Sequence, residues 1–332
     1  SSYFIDNGQL LAIPSFTWTQ LLEYNRDLFQ EANLPEPSLD WTMDDFLEIA
    51  LQIPQSIGEE KQYMYAEFFP YLIGFGLPSF GVDVVDNRLD VPTFNYEATA
   101  EMLTWYTDLI QLYEVQPPLI DDPMINFTQY ETAIRDGRVA VWPFPESRIL
   151  EEQFGTPLGF KVGLLPYPLG PSGSRGDLTG AVHGYYIMAD SPHREACWQW
   201  ITFLTRHPQA ISLNQGIPAH IKTAESTEYI DSVDEELAAA MRAFMASSPP
   251  SSDVTNISWF FPGHDWLREA YQNVARGRSD VPTALADANV KFNQYRQCII
   301  DRNAFDDRNS QLECAVSVDP ALGDRYNFQP SE

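Results

Sequence analysis

The segment from Gly180 to Leu204 constrains the fold of this chain more tightly than any other. It combines a glycine-rich lead-in, a short apolar run, a turn and a helix. Gly180 and Gly184 let the backbone come close to another surface, and Tyr185, Tyr186, Ile187 and Met188 make an apolar run suited to a buried strand. Ser191 stands where it can cap the helix that follows, with Pro192 at the first helical position, where its missing N–H costs nothing. Ala196, Cys197, Trp200, Ile201 and Leu204 then recur at helical spacing and predict an inward face. A glycine-bracketed strand end carrying His183 and Tyr185 and feeding such a helix fits one wall of a ligand cleft. It fits an ordinary βα unit equally well, and these residues alone do not choose.

Strand and helix signals alternate along the rest of the chain. Leu10 to Pro14 reads as a short strand and Phe16 to Asn25 as a second, followed by a helix over Arg26 to Ala32. Trp41-Thr-Met-Asp-Asp45 opens a further helix, with Thr42 as its cap, Asp45 completing a capping box, and Phe46, Leu47, Ile49, Ala50 and Ile53 on the buried stripe. A helix beginning near Phe94 keeps Ala98, Met102, Leu103, Trp105, Tyr106, Leu109 and Ile110 on one face, and another over Phe127 to Arg135 stops at Gly137. Arg138 to Trp142 and Lys161 to Pro166 read as strands, Pro168 to Gly176 as a mobile loop, and a long helix starts at Thr283. The alternation predicts an α/β architecture with mostly parallel sheets. A chain of 332 residues exceeds one typical core, so two lobes are expected. No long linker divides it, which implies lobes that share the chain discontinuously.

The formal charge of −27 would repel phosphates, which argues against a nucleic-acid partner and against adhesion to an anionic membrane. No apolar run approaches the roughly 18 residues that span a bilayer. Ser1 to Asp6 lacks the basic and apolar regions of a signal peptide, so any targeting segment is expected upstream or removed. The three cysteines form no zinc pattern. Cys197 sits at an apolar helical position and reads as a free thiol, whereas Cys298 and Cys314 would close a loop whose bridging is worth about 3 kcal/mol. A disulfide between them is predicted, and with it an oxidising, extracytoplasmic setting.

The sequence holds no phosphate-cradling Gly-x-x-x-x-Gly-Lys run, no His-Glu-x-x-His, no Gly-x-Ser-x-Gly elbow, and its five histidines are scattered. Among 47 acidic residues a chance carboxylate pair is expected, so such a pair identifies nothing. Asn126-Phe-Thr and Asn256-Ile-Ser match the glycosylation pattern and are taken as chance matches.

The order of segments is more specific than any one motif. Gly8-Gln-Leu-Leu-Ala-Ile-Pro14, Tyr24-Asn-Arg-Asp-Leu-Phe-Gln-Glu-Ala-Asn-Leu-Pro35, Trp41-Thr-Met-Asp-Asp-Phe46 and Asp136-Gly-Arg-Val-Ala-Val-Trp142 resemble, in sequence, the family 1 extracellular solute-binding proteins of bacterial ABC importers. Gly180 to Leu204 resembles that family's second hinge strand and the helix after it, and Gly216-Ile-Pro218 follows in order. The resemblance implies an α/β periplasmic-binding-protein type II fold of two lobes, with the chain crossing near Pro14 to Trp18, Gly180 to Tyr185 and Gly216 to Lys222. Residues 1–15 and 178–221 would form an N-terminal lobe and hinge, and 16–177 and 222–300 the C-terminal lobe. Residues 301–332 would form a tail past the family's usual last helix. Family members carry about one further half-domain before the first crossing, so the N-terminal lobe is expected to be incomplete.

Carried over by position, the ligand-binding residues implied are Trp18, Phe69, Trp142, Phe144, His183, Tyr185 and Trp259, each of which has an alternative place in the core. Rings so placed stack on the C–H faces of sugars. Arg138 and Arg148 are the basic residues nearest them in sequence, so a neutral oligosaccharide is expected over an anionic solute. The resemblance further implies a non-catalytic, extracytoplasmic monomer, without cofactor or metal, that serves an ABC permease and is compatible with a lipid anchor upstream. A secreted carbohydrate-active enzyme is the alternative, and a sensor subunit docking on a receptor a third.

Overall fold

The computed structural model describes residues 4–6, 9–17, 21–53, 56–57, 60–67, 72–82, 97–143, 146–176, 182–207, 217–231, 234–247 and 261–326. Its main strands are β1 (Ile13–Thr17), β2 (Leu21–Asn25), β3 (Tyr63–Tyr65), β4 (Val139–Pro143), β5 (Val162–Pro166), β6 (Val182–Tyr185) and β7 (Ile217–Pro218). Its main helices are α1 (Arg26–Glu31), α2 (Met43–Gln52), α3 (Glu97–Gln111), α4 (Pro123–Arg135), α5 (Arg194–Arg206) and α6 (Glu235–Ser247). They continue with α7 (Phe261–Ala275), α8 (Val281–Arg302), α9 (Arg308–Val318) and α10 (Ala321–Arg325).

The strands sort into a three-stranded sheet of order β6-β1-β7 and a four-stranded sheet of order β3-β4-β2-β5. Phe16 to Asn25, predicted as one strand, is therefore two, β1 in the small sheet and β2 in the large. The expectation of mostly parallel sheets is also corrected. Among the strands given above only β3 and β4 pair in parallel, and β2 runs against both β4 and β5. The reason is topological: β3, β4 and β5 each return to the large sheet after a helical excursion, whereas β2 arrives from the other sheet and enters from the opposite end.

Local chemistry sets several boundaries. At α2 the Thr42 hydroxyl accepts from Asp45 N at 3.1 Å while the Asp45 carboxylate accepts from Thr42 N at 2.8 Å, the reciprocal capping predicted. Helix α4 begins earlier than its apolar pattern suggests, because Asp122 caps it and Pro123 occupies its first turn. Helix α5 departs further from expectation. Its N-cap is His193, no side chain caps it, and its buried residues are Ile201 and Thr205, with Trp198, Trp200 and Phe203 exposed. The predicted apolar strand is displaced as well: β6 ends at Tyr185, so Tyr186 and Met188 lie past it and are exposed. Periodicity failed here because bulky apolar residues occupy more than one side of the helix.

Packing concentrates around the large sheet. Leu21, Leu22 and Tyr24 of β2 meet Phe46 and Ala50 of α2 and Met241 and Phe244 of α6, each large side chain worth about 1.5–3 kcal/mol on burial. A second cluster joins Met102, Leu103 and Tyr106 of α3 to Trp266 and Tyr271 of α7 and Phe292 and Tyr295 of α8. The loop at 168–176, expected to be mobile, is pinned. Arg175 is 2% exposed and donates to the carbonyls of Tyr167 (2.8 Å) and Leu39 (2.6 Å) and to the Ser247 hydroxyl (2.7 Å). Burial pulls its pKa down to about 10. Gly170 of the same loop packs closely against Ser79, whose carbonyl a Cβ there would overlap.

Cys298 and Cys314 form the predicted disulfide, joining α8 to α9 with their Cα atoms 5.7 Å apart, and Cys197 is a free thiol. Asn126 is no glycosylation acceptor as it stands: it is buried, and its amide both accepts from Ile120 N (2.7 Å) and donates to Ile120 O (2.8 Å). Asn256 lies outside the described residues. Among the described residues no helix is long and apolar enough to cross a membrane, and no acidic, histidine and cysteine group is arranged to hold a metal ion.

Candidate functional site

Strand direction brings one edge of the large sheet to the junction with the small one. Because β3, β4 and β5 run together and β2 against them, the carboxyl ends of three strands meet the amino end of the fourth. The register shows it: Leu21 pairs with Pro166, Leu22 with Pro143, and Tyr65 with Val141. At this edge the chain passes from Thr17 of β1 to Leu21 of β2 through residues 18–20. Loops leaving the carboxyl ends of strands are where α/β sheets place ligands. Trp18, Phe69, Phe144 and Trp259 lie outside the described residues.

The described side chains at the edge form a polar floor. Glu67, two residues beyond β3, is 7% exposed. Its carboxylate accepts from the Tyr65 hydroxyl at 2.7 Å and the Tyr167 hydroxyl at 3.3 Å, and its carbonyl accepts from Gln116 Nε2 at 3.2 Å. Phe75 stacks on Tyr167 with ring centroids 4.6 Å apart. Burial, reinforced by the nearby Glu67 charge, pushes both tyrosine pKa values well above the ordinary phenol range. The hydroxyls thus stay protonated and hold Glu67 in place. Sequence reasoning missed this group, whose local signal is only the alternation of Tyr65 and Glu67; Tyr167 joins it through tertiary structure.

Trp142 occupies a different place from the one its predicted role requires. It is 0% exposed, its indole N–H donates to Glu23 Oε2 at 2.6 Å, and Phe160 packs edge-on against it. The strand that carries it is covered on both faces, as the burial of Val139, Ala140 and Val141 also shows, so its ring is a core element. His183 is exposed and close to the junction: it stands opposite Phe16, stacks on that ring at 4.4 Å, and its carbonyl accepts from the Ser15 hydroxyl at 3.0 Å. Tyr185 pairs with Ile13 at the far end of β1 and is half-buried. The irregularity between His183 and Gly184 falls where a Cβ on Gly184 would come within 2.7 Å of the Phe4 ring. The structure thus puts His183 beside the junction, Tyr185 farther off and Trp142 in the core.

Residues 2–211 match the family described as bacterial extracellular solute-binding protein. A binding protein of Brucella abortus (strain 2308) is 22% identical over 294 residues, spanning 86% of this chain and 67% of its own. Among solved structures, UgpB from Mycobacterium tuberculosis in complex with glycerophosphocholine superposes with a TM-score of 0.66 at 18% identity, covering 90% of this chain and 73% of that one. The maltose-bound T. maritima protein gives 0.63 at 21% identity, covering 87% and 74%. An ABC substrate-binding protein from Listeria monocytogenes in complex with cycloalternan gives 0.62 at 17% identity, covering 88% and 73%.

Proposed function

This chain belongs to the bacterial extracellular solute-binding protein family, and from that premise we propose that it binds a neutral carbohydrate at the junction of its two sheets and presents it to the permease of an ABC importer. The observation that carries the reading is the convergence of β2, β3, β4 and β5 on one edge, with the Glu67 floor behind it. A rigid floor beneath strand-end loops is what holding a solute requires. Similar proteins hold maltose and cycloalternan. Glycerophosphocholine in another of them is the counter-example; the carboxylate at this floor disfavours a phosphate group here.

In this reading the lobes comprise residues 1–15 with 178–221 and residues 16–177 with 222–300. They hinge at the three passages of the chain, and closure is the signal the permease reads. His183 lines one side, with Trp18, Phe69, Phe144 and Trp259 as the ring candidates completing the site. The protein works outside the cytoplasm and without catalysis. Two buried carboxylates near the edge, Glu23 and Glu67, are held by core hydrogen bonds and are not free to serve as an acid and base pair.

Calorimetry against maltose, maltotetraose, trehalose, tagatose and glycerophosphocholine, with chromatography of the mixtures afterwards, tests the proposal. Stoichiometric binding of at least one neutral saccharide without product is expected. Turnover would establish the enzyme alternative, and binding of glycerophosphocholine alone would overturn the neutral-solute assignment.

A further inference from the structure

Beside the third passage of the chain lies a cavity of about 450 Å³ that the proposed solute site does not use. Pro218, the last residue of β7, forms one side of it, and Met241 and Met245 of α6 form the other. Tyr229 is buried in its wall, and Ile221 at its mouth is 70% exposed. The lining is thus mostly apolar and partly built from methionine, whose flexible thioether adapts to varied shapes. The volume falls within the range of small-molecule pockets.

Two charged side chains share the rim, Arg242 and Glu225. Arg242 is exposed, and no described acid lies within ion-pair distance of it. Several described basic groups are paired with a carboxylate, and Arg242 is among those that are not. A cation left without a partner at the mouth of an apolar cavity matches a ligand with an apolar tail and one anionic head.

We propose that this cavity binds an amphipathic monoanion, a medium-length hydrocarbon chain with a carboxylate head. The tail fills the space between Pro218 and the two methionines, and the head pairs with the Arg242 guanidinium. Glu225 opposes a second negative charge and so restricts the head to one. The site is independent of the carbohydrate reading, since it shares no residue with the sheet edge.

Calorimetric titration of the full chain with octanoate, octanol and octylamine, each below its micelle concentration, decides the matter. Octanoate is expected to bind one-to-one and roughly tenfold more tightly than octanol, the scale of a charge-assisted pair. Arg242→Gln should abolish that difference and Glu225→Gln should strengthen octanoate, two effects of opposite sign. Ala238→Phe, which fills the cavity, should eliminate binding. Octanol binding as well as octanoate, or octanoate affinity surviving Ala238→Phe, overturns the proposal. Should Ala238→Phe fail to fold, the anomalous signal of bromooctanoate in crystals replaces it: a peak between Pro218 and Met245 supports the site, and a peak elsewhere overturns it.

Discussion

At the scale of single residues, Trp142 shows how a site prediction changes meaning once packing is known. The reading by resemblance places its ring against a solute, but the ring has no accessible face and its N–H is spent on the buried Glu23. Its substitution is therefore expected to act on stability. Trp142→Phe removes the indole donor to the buried Glu23 carboxylate and trims a fully buried ring, so urea denaturation should show a loss of about 2–4 kcal/mol. A loss below about 0.5 kcal/mol, the scale of an ordinary surface substitution, would mean that the Glu23 pair is not formed. No pattern in Val-Ala-Val-Trp reveals this, because a strand buried on both faces loses the alternation that tells inside from outside. Glu67 was illegible for a related reason: one of its partners, Tyr167, lies 100 residues away in sequence.

At the scale of elements, what is local was legible and what is tertiary was not. The capping box of α2 and the run of α3 could be read because each depends on residues a few positions apart. The division of Phe16 to Asn25 between two sheets could not, since Trp18-Thr-Gln20 contains neither glycine nor proline to mark a break. The tail is the element whose energetics are most open to measurement. Asp319, at the end of α9, accepts from the Trp266 indole at 3.0 Å and from Lys291 Nζ at 3.2 Å. Arg325 and Tyr326 donate to the buried Asp265 of α7. Burial works to raise the Asp319 pKa, but the Trp266 and Lys291 donors prevail and hold it below the usual carboxylate range. A carboxylate lowered on folding contributes stability above its unfolded pKa of about 3.9 and loses it as pH falls through the folded value. Acid should therefore loosen the tail, and Asp319→Asn should flatten that dependence in thermal melts taken between neutral pH and pH of about 3. An identical pH profile for the variant would contradict the assignment. Reducing the Cys298–Cys314 bridge should raise amide exchange first in α9 and in the opening turns of α7, where the tail docks. Exchange rising equally in α3 would show a global effect instead.

At the scale of the whole molecule, two sheets are joined by a chain that passes between them at 17–21, between β5 and β6, and after β7. The order of segments was enough to suggest this family, because segment order survives when individual residues have diverged to the level of 22% identity. The composition of the site was less accessible, since it is assembled from strand ends that sequence separates widely. The proposed site holds a neutral saccharide where the carboxyl ends of β3, β4 and β5 meet the amino end of β2, opposite His183. The most direct test is a crystal structure grown with the saccharide that binds best in calorimetry. Density for the sugar is expected above the Glu67 floor, within reach of His183. Density confined to a surface groove away from that edge would contradict the proposed site.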